Sequence, residues 1–356
     1  MFKTIRNAIS RHASPSTNPS TSPRHSLTRF GAGIAVAASL VLAGNAQAAT
    51  DVKLGTVAWI GYAPFYIATE KDMFAKYGVK VTLQDFADPA LIPAALQSGG
   101  LQGAMYTYDQ VVTLVATGHD YKVVMPIDYS NGADAVVAST SITDMAQLKG
   151  QKIAYPFATC DNLLVVYGLE KAGLSESDVA GIDTTPENVA AALASGVPAG
   201  STYEPNITKI LKMGDGKAYH TILTSAAAPG LITDILYFGG DYIKANPAAI
   251  EGIIHGYLDA LAFMKTNPDE AYTIVSKYLS STLDETKEQA KGVQNIEPAD
   301  MAKYFEKRDD SQSLYKVGDL ISQILIKRGQ IPQAADVSKS YDPQFVAKLS
   351  IKASAQ

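Results

Sequence analysis

Ala94-Ala95-Leu96-Gln97-Ser98-Gly99, followed by Tyr106-Thr107-Tyr108-Asp109-Gln110, returns along the chain as Ala191-Ala192-Leu193-Ala194-Ser195-Gly196, followed by Ser201-Thr202-Tyr203-Glu204-Pro205. Each copy reads as a helix closed by glycine, a short strand, then a tyrosine and an acid. Each also follows an aromatic loop, 59–66 in the first copy and 155–162 in the second. From Tyr62 to Asp109 is 47 positions, and from Phe157 to Glu204 is again 47. Repetition on this scale predicts two similar units. On this spacing Asp109 and Glu204 are equivalent.

Outward from the repeat, strand and helix patterns alternate. Residues 52–59 switch sides like a strand until Gly61 and Pro64 break the run, 65–77 reads as a helix ended by Gly78, and 79–86 resumes strand alternation. Residues 152–155 form the next strand pattern and 163–172 a helix closed by Gly173. Such alternation predicts an α/β fold of two lobes, each a largely parallel sheet flanked by helices. In the C-terminal third, Ile250, Ile253, Ile254, Tyr257, Leu258 and Leu261 keep helical spacing, as do Val317, Leu320, Ile321, Ile324 and Leu325. These helices are expected to cover the lobes from outside. Ligands of open parallel sheets sit beyond the carboxyl ends of the strands, so two facing lobes would share a cleft. Chain crossings are expected at Asn131-Gly132-Ala133-Asp134 and Ala228-Pro229-Gly230, with lobe one spanning 49–132 and 234–356 and lobe two 133–233.

The first 48 residues read as an export leader. Lys3, Arg6, Arg11, Arg24 and Arg29 stand without any acid, an apolar run covers 30–44, and Asn45-Ala46-Gln47-Ala48 ends in the small residues of a cleavage site. Cleavage after Ala48 and a periplasmic destination are the expectation. The remaining 308 residues carry 35 acids against 25 bases, a net −10 that argues against nucleic acid as a partner. Cys160 is the only cysteine, so no intrachain disulfide forms and packed cores must supply the stability. His119, His220 and His255 are widely spaced, and no GxSxG, HExxH or CxxC occurs; no metal, cofactor or catalytic group is expected.

Gly61-Tyr62-Ala63-Pro64-Phe65-Tyr66-Ile67-Ala68 resembles the first-lobe signature of the nitrate, sulfonate and taurine type of ABC importer binding proteins. Asp128-Tyr129-Ser130-Asn131-Gly132-Ala133-Asp134-Ala135, Leu148-Lys149-Gly150-Gln151-Lys152-Ile153-Ala154, Thr202-Tyr203-Glu204-Pro205 and Gly329-Gln330-Ile331-Pro332 are similar to the same family, over 52–349 in all. The resemblance implies a monomeric periplasmic binding protein of the Venus-flytrap fold, serving a permease and its ATPase. It also implies ligand contacts: Trp59 and Tyr62 in the first loop, then Thr107, Tyr108 and Asp109. Asn131 and Asp134 follow at the crossing, Thr159, Cys160 and Asp161 at a helix start, and Tyr203 and Glu204 beyond them. The chain departs from the family pattern at Asp161-Asn162 and at Tyr203. The rival reading is an enzyme: pyrimidine synthases of thiamine biosynthesis share the suspected fold, but they are similar to cytosolic proteins with a cysteine-rich segment, whereas this chain has one cysteine and an export-like leader.

The six segments expected at the cleft, 59–66, 104–112, 127–138, 155–164, 199–206 and 228–240, contain no Lys or Arg. They contain Asp109, Asp128, Asp134, Asp161, Glu204 and Asp234, interleaved with aromatic residues. That chemistry suits a small amine, amidine, pyrimidine-like or zwitterionic solute better than a bare sulfonate or nitrate, although backbone N–H groups at a helix start can hold an anion. Asp161 reads equally as a helix cap, Asp128 and Asp134 as braces of the crossing, and Asp234 as a buried acid beside it.

Overall fold

The computed structural model describes residues 48–353. The expected leader, apart from Ala48, lies outside the described residues. Among these, no helix is long and apolar enough to cross a membrane.

Among the described residues, eleven strands form two sheets. The chain begins the first sheet with β1 (Thr50–Thr56), β2 (Val79–Asp85), β3 (Gly103–Thr107) and β4 (Tyr121–Ser130). It then builds the whole second sheet from β5 (Asp134–Ser139), β6 (Lys152–Tyr155), β7 (Ala180–Asp183), β8 (Ala199–Tyr203) and β9 (Tyr219–Thr224). It returns to the first for β10 (Thr233–Gly239) and β11 (Val293–Asn295). The orders are β11-β4-β10-β3-β1-β2 and β7-β6-β8-β5-β9. Helices α1 (Ala63–Glu70), α2 (Ile92–Gln97) and α3 (Tyr108–Ala116) alternate with the first strands. In the second unit α4 (Cys160–Lys171), α5 (Val189–Ala194) and α6 (Asn206–Leu211) hold the matching places. The repeat seen in the sequence is therefore a repeat of structure.

Each sheet is more mixed than the alternation predicts. β1 runs parallel to β2 and β3, and β6 to β7 and β8. The remaining pairs, β3–β10, β10–β4, β4–β11, β8–β5 and β5–β9, are antiparallel. The cause is connection length. A parallel neighbour needs a crossover helix, whereas residues 131–133 carry β4 straight into the other sheet, so β5 starts at the edge where parallel strands end.

Register also corrects the alignment of the repeat by one residue. Thr107 lies opposite Asp234 and Tyr203 opposite Asp134. Thr107 thus matches Tyr203, Tyr108 matches Glu204, and Asp109 has no acidic counterpart. The acids in equivalent places are Asp134 and Asp234.

Both sheets are covered on two faces. Along β5, Val136 and Ala138 enter one core with Ile153, Val165 and Leu169, while Ala135 and Val137 enter another with Val189, Leu193 and Ile207. This is the two-residue period of a strand buried on both sides. The first sheet shares one larger core with the helix Pro247–Thr266, through Ile250, Ile253, Ile254 and Tyr257. In the helix Leu314–Lys327, Val317, Ile321, Ile324 and Leu325 are buried, but Leu320 is exposed. Spacing i, i+4, i+7 selects the buried stripe, and Leu320 falls outside it.

Candidate functional site

The chain leaves β1 through Val57, Ala58 and Trp59, and that turn is fixed on all sides. The Tyr66 hydroxyl lies 3.1 Å from the carbonyl oxygens of both Val57 and Trp59. The Trp59 indole N–H donates to Asp128 Oδ1 at 3.2 Å. Tyr62 donates its hydroxyl to Asp234 Oδ1. Gly61 is required here, because a Cβ would stand 2.3 Å from both Asp128 Oδ2 and the indole nitrogen. Asp128 and Asp234 face each other across β4 and β10, so the first loop rests on a carboxyl pair.

The second sheet meets this loop directly. Tyr203, ending β8, sets its ring edge-on to Trp59, with centroids 5.8 Å apart and planes at 89°. Cys160 Sγ lies 3.7 Å from the Tyr106 hydroxyl. Thr159 is extended and precedes α4, and its hydroxyl bonds the Pro156 carbonyl at 3.0 Å rather than capping the helix. Asp161 sits in the first helical turn, and neither carboxylate oxygen finds a hydrogen-bond partner.

Between the two sheets lies a small void of about 10 Å³. The first sheet lines it with Val57 and Trp59 after β1, Tyr106 and Thr107 at the end of β3, and Ile232 and Asp234 at the start of β10. The second contributes Asp134 from the start of β5, Cys160 and Tyr203. Ends of parallel strands and starts of antiparallel ones reach the same edge, which is where ligands bind in open α/β sheets. As arranged, the side chains leave room for at most about one water molecule. A guest larger than that does not fit the side chains as they stand.

The electrostatics of the wall are one-sided. Asp109, Asp128, Asp134, Asp161 and Asp234 are each at most 4% exposed, and among the described residues no Lys or Arg pairs with any of them. Asp109 Oδ1, Asp128 Oδ2, Asp134 Oδ2 and the Thr107 hydroxyl also lack hydrogen-bond partners. Burial pushes Asp109 up to about 6, and burial with the neighbouring Glu204 charge pushes Asp134 up to about 7. Asp161 is driven well above the carboxylate range by burial, then by Asp134 and Asp109. For the Asp128–Asp234 pair, burial raises both groups, and the charge of Asp128 raises Asp234 further. Buried carboxylates without donors are costly. A guest bringing positive charge and N–H groups removes that cost, and aromatic faces favour the same guest.

Of the residues expected at the site, Trp59, Thr107, Asp134, Cys160 and Tyr203 line the void. Tyr62 stands one layer behind, through Asp234. Asp109, Thr159 and Asp161 are buried but do not line it, while the Asp109 and Asp161 charges act on Cys160 and Tyr106. Three others lie elsewhere. Tyr108 bonds the Ser340 hydroxyl at 2.6 Å and its ring abuts Gly318. Asn131 is exposed, with its backbone N–H on the Gly292 carbonyl. Glu204 accepts the Thr208 N–H at 3.0 Å within the first turns of α6. The wall also includes Val57, Tyr106, Ile232 and Asp234. The sequence does signal Tyr106 and Asp234, one as an aromatic in the repeat and the other as an acid beside the second crossing; Val57 and Ile232 carry no signal but apolarity.

Similarity to known proteins agrees with this architecture. A "Putative binding protein" of Brucella abortus (strain 2308) is 25% identical over 305 residues, which are 85% of this chain and 92% of that protein. A riboflavin-binding protein, RibY, of Chloroflexus aurantiacus is 25% identical over 225 residues, 62% of this chain and 63% of that one. The crystal structure of the periplasmic aliphatic sulphonate binding protein SsuA from Escherichia coli superposes with a TM-score of 0.65 at 16% identity, over 82% of this chain and 97% of that one. Residues 59–271 match the NMT1/THI5-like family. With two βαβ sheets facing across a void at their strand ends, the chain belongs to the NMT1/THI5-like family and has the periplasmic-binding-protein fold.

Proposed function

We propose that the protein is the periplasmic solute receptor of an ABC importer, and that its solute is a small nitrogen-containing molecule bearing an amine, amidine or comparable N–H-rich group. One observation carries the reading: Asp134 and Asp234 in the wall, with Asp161 behind Cys160, form a buried acidic set without any basic partner, faced by Trp59, Tyr106 and Tyr203. The halves part about 131–133 and 225–232, admit the solute, and close to bring both sets of acids onto it. The closed form then presents the solute to the permease. RibY, by its name a riboflavin-binding protein, and the Brucella protein, by its name a binding protein, support a receptor over an enzyme. Cys160 fits no nucleophilic role, since burial and the surrounding acids raise its thiol well above the usual range.

The name of SsuA favours a second reading, a sulfonate or taurine. For this chain it requires the anion to be held by backbone N–H groups alone, beside Asp161. A thermal-shift screen of amines, amidines, ureas, pyrimidines, taurine and alkanesulfonates separates the two. Stabilisation by an N–H-rich cation, lost in Asp134→Asn, is the expected result. Stabilisation by sulfonates alone leaves a receptor and overturns the solute class.

A further inference from the structure

Outside the cavity, one partly buried charge pair bridges the two halves. Arg328 follows the helix Leu314–Lys327, which packs on α3 beside the first sheet. Glu176 opens a short turn after α4, on the second sheet. Arg328 Nε donates to Glu176 Oε2 at 2.7 Å and Nη2 to Oε1 at 3.1 Å, a two-point contact whose side chains are 12% and 28% exposed. The same Glu176 Oε1 accepts the Tyr155 hydroxyl at 2.7 Å and the Asn162 amide at 3.0 Å. Asn162 Oδ1 in turn accepts the Ala158 N–H at 3.2 Å, in a turn where Ala158 is held at φ +58°. That turn delivers Cys160 to the cavity wall and Asp161 behind it.

We infer that Arg328 and Glu176 are a latch for the closed form and positioning residues for the binding turn, which they reach through Asn162. Opening the halves separates the guanidinium from the carboxylate and leaves Glu176 only the Tyr155 and Asn162 donors of its own half. Burial raises Glu176, but Arg328, Tyr155 and Asn162 together outweigh it and hold the group below the usual carboxylate range, so the latch stays charged across neutral pH. Other cross-links are weaker candidates. Lys327–Glu170, from the same helix to α4, is 65% and 41% exposed and screened by water.

The test is independent of the solute. Spin labels on Ser98→Cys and Ser195→Cys, both exposed and one beside each sheet, report the inter-lobe distance in the full chain; the native Cys160 is buried and stays unlabelled. Arg328→Ala and Glu176→Gln should each raise the open-to-closed ratio about five- to tenfold. Arg328→Lys should fall between, and Lys327→Ala should match the parent. Circular dichroism melts verify that each variant is folded, with the isosteric Glu176→Gln deciding if Arg328→Ala is not. An unchanged distance distribution in folded Glu176→Gln, or an equal shift in Lys327→Ala, overturns the latch and leaves the solute reading untouched.

Discussion

Glu297, on the outside, holds Lys265 Nζ at 2.6 Å with both side chains 54% exposed, whereas Asp134, on the cavity wall, is 1% exposed and has one oxygen with no partner. The surface carboxylate sits in water, gains little from its lysine and loses little without it. The cavity carboxylate has lost its water and received no basic partner in return. Residues chosen for folding alone would reverse this, pairing the buried group and leaving the surface one to solvent. The difference teaches that the wall is arranged for a state in which something else occupies it.

That contrast can be broken or sharpened in four ways, the strongest first. Asp134→Ala should weaken binding of an N–H-rich cationic solute by about a hundredfold or more, read by calorimetry, because a charged hydrogen bond in a closed site is lost. Unchanged affinity would remove Asp134 from the binding machinery. Next, Trp59→Ala should cost about tenfold to a hundredfold in affinity, through loss of the aromatic wall and of the bond that orders Asp128.

The third concerns pH. The folded-state value of Asp134 near 7 stands above the unfolded value of about 3.8. Between the two, the folded protein holds a proton that the unfolded chain has released, so stability falls as pH rises through this window. Asp109, near 6, acts in the same sense. The solute-free protein should therefore melt several degrees higher at pH 5 than at pH 8, and Asp134→Asn should raise the melting temperature at pH 8 by a few degrees while abolishing binding. A cationic solute needs the ionised acids, so its affinity should decline as pH falls from 7 to 5. A flat melting profile contradicts the one-sided wall. The smallest effect is expected outside: Lys265→Ala should alter stability by no more than about 0.5 kcal/mol in a denaturant titration.

Much of this was legible in the sequence because it is local or repeated. The glycine-closed helices and the short strands after them follow from spacing and turn residues, although those strands run on to Thr107 and Tyr203, and the expected passage at Asn131-Gly132-Ala133-Asp134 contains the turn between β4 and β5. Trp59, Cys160 and Tyr203, nominated by the family resemblance, lie at or just beyond strand ends and line the void. Asp234 was placed beside the crossing but not in the wall, since its position depends on β10 pairing with Thr107, 127 residues earlier. The pairing of Asp109 with Glu204 failed because identity in a repeat tolerates a one-residue slip, whereas hydrogen-bond register does not. Tyr108 misled for a related reason. It opens α3, and the start of the helix turns it away from Thr107, so Tyr108 reaches Ser340 instead of the cavity.

Asp134 is the first residue after one crossing and Asp234 follows closely on the other, where the Ser225 hydroxyl ties the two passages together at 2.7 Å from both the Ser130 hydroxyl and the Gly132 N–H. Any swing of the halves pivots almost beneath these two acids. Both hold their protons more tightly than a free carboxyl does. An empty hinge therefore carries little charge, and a visitor that brings its own positive charge would draw those protons off where the passages meet, tying occupancy to the pivot without any separate lid.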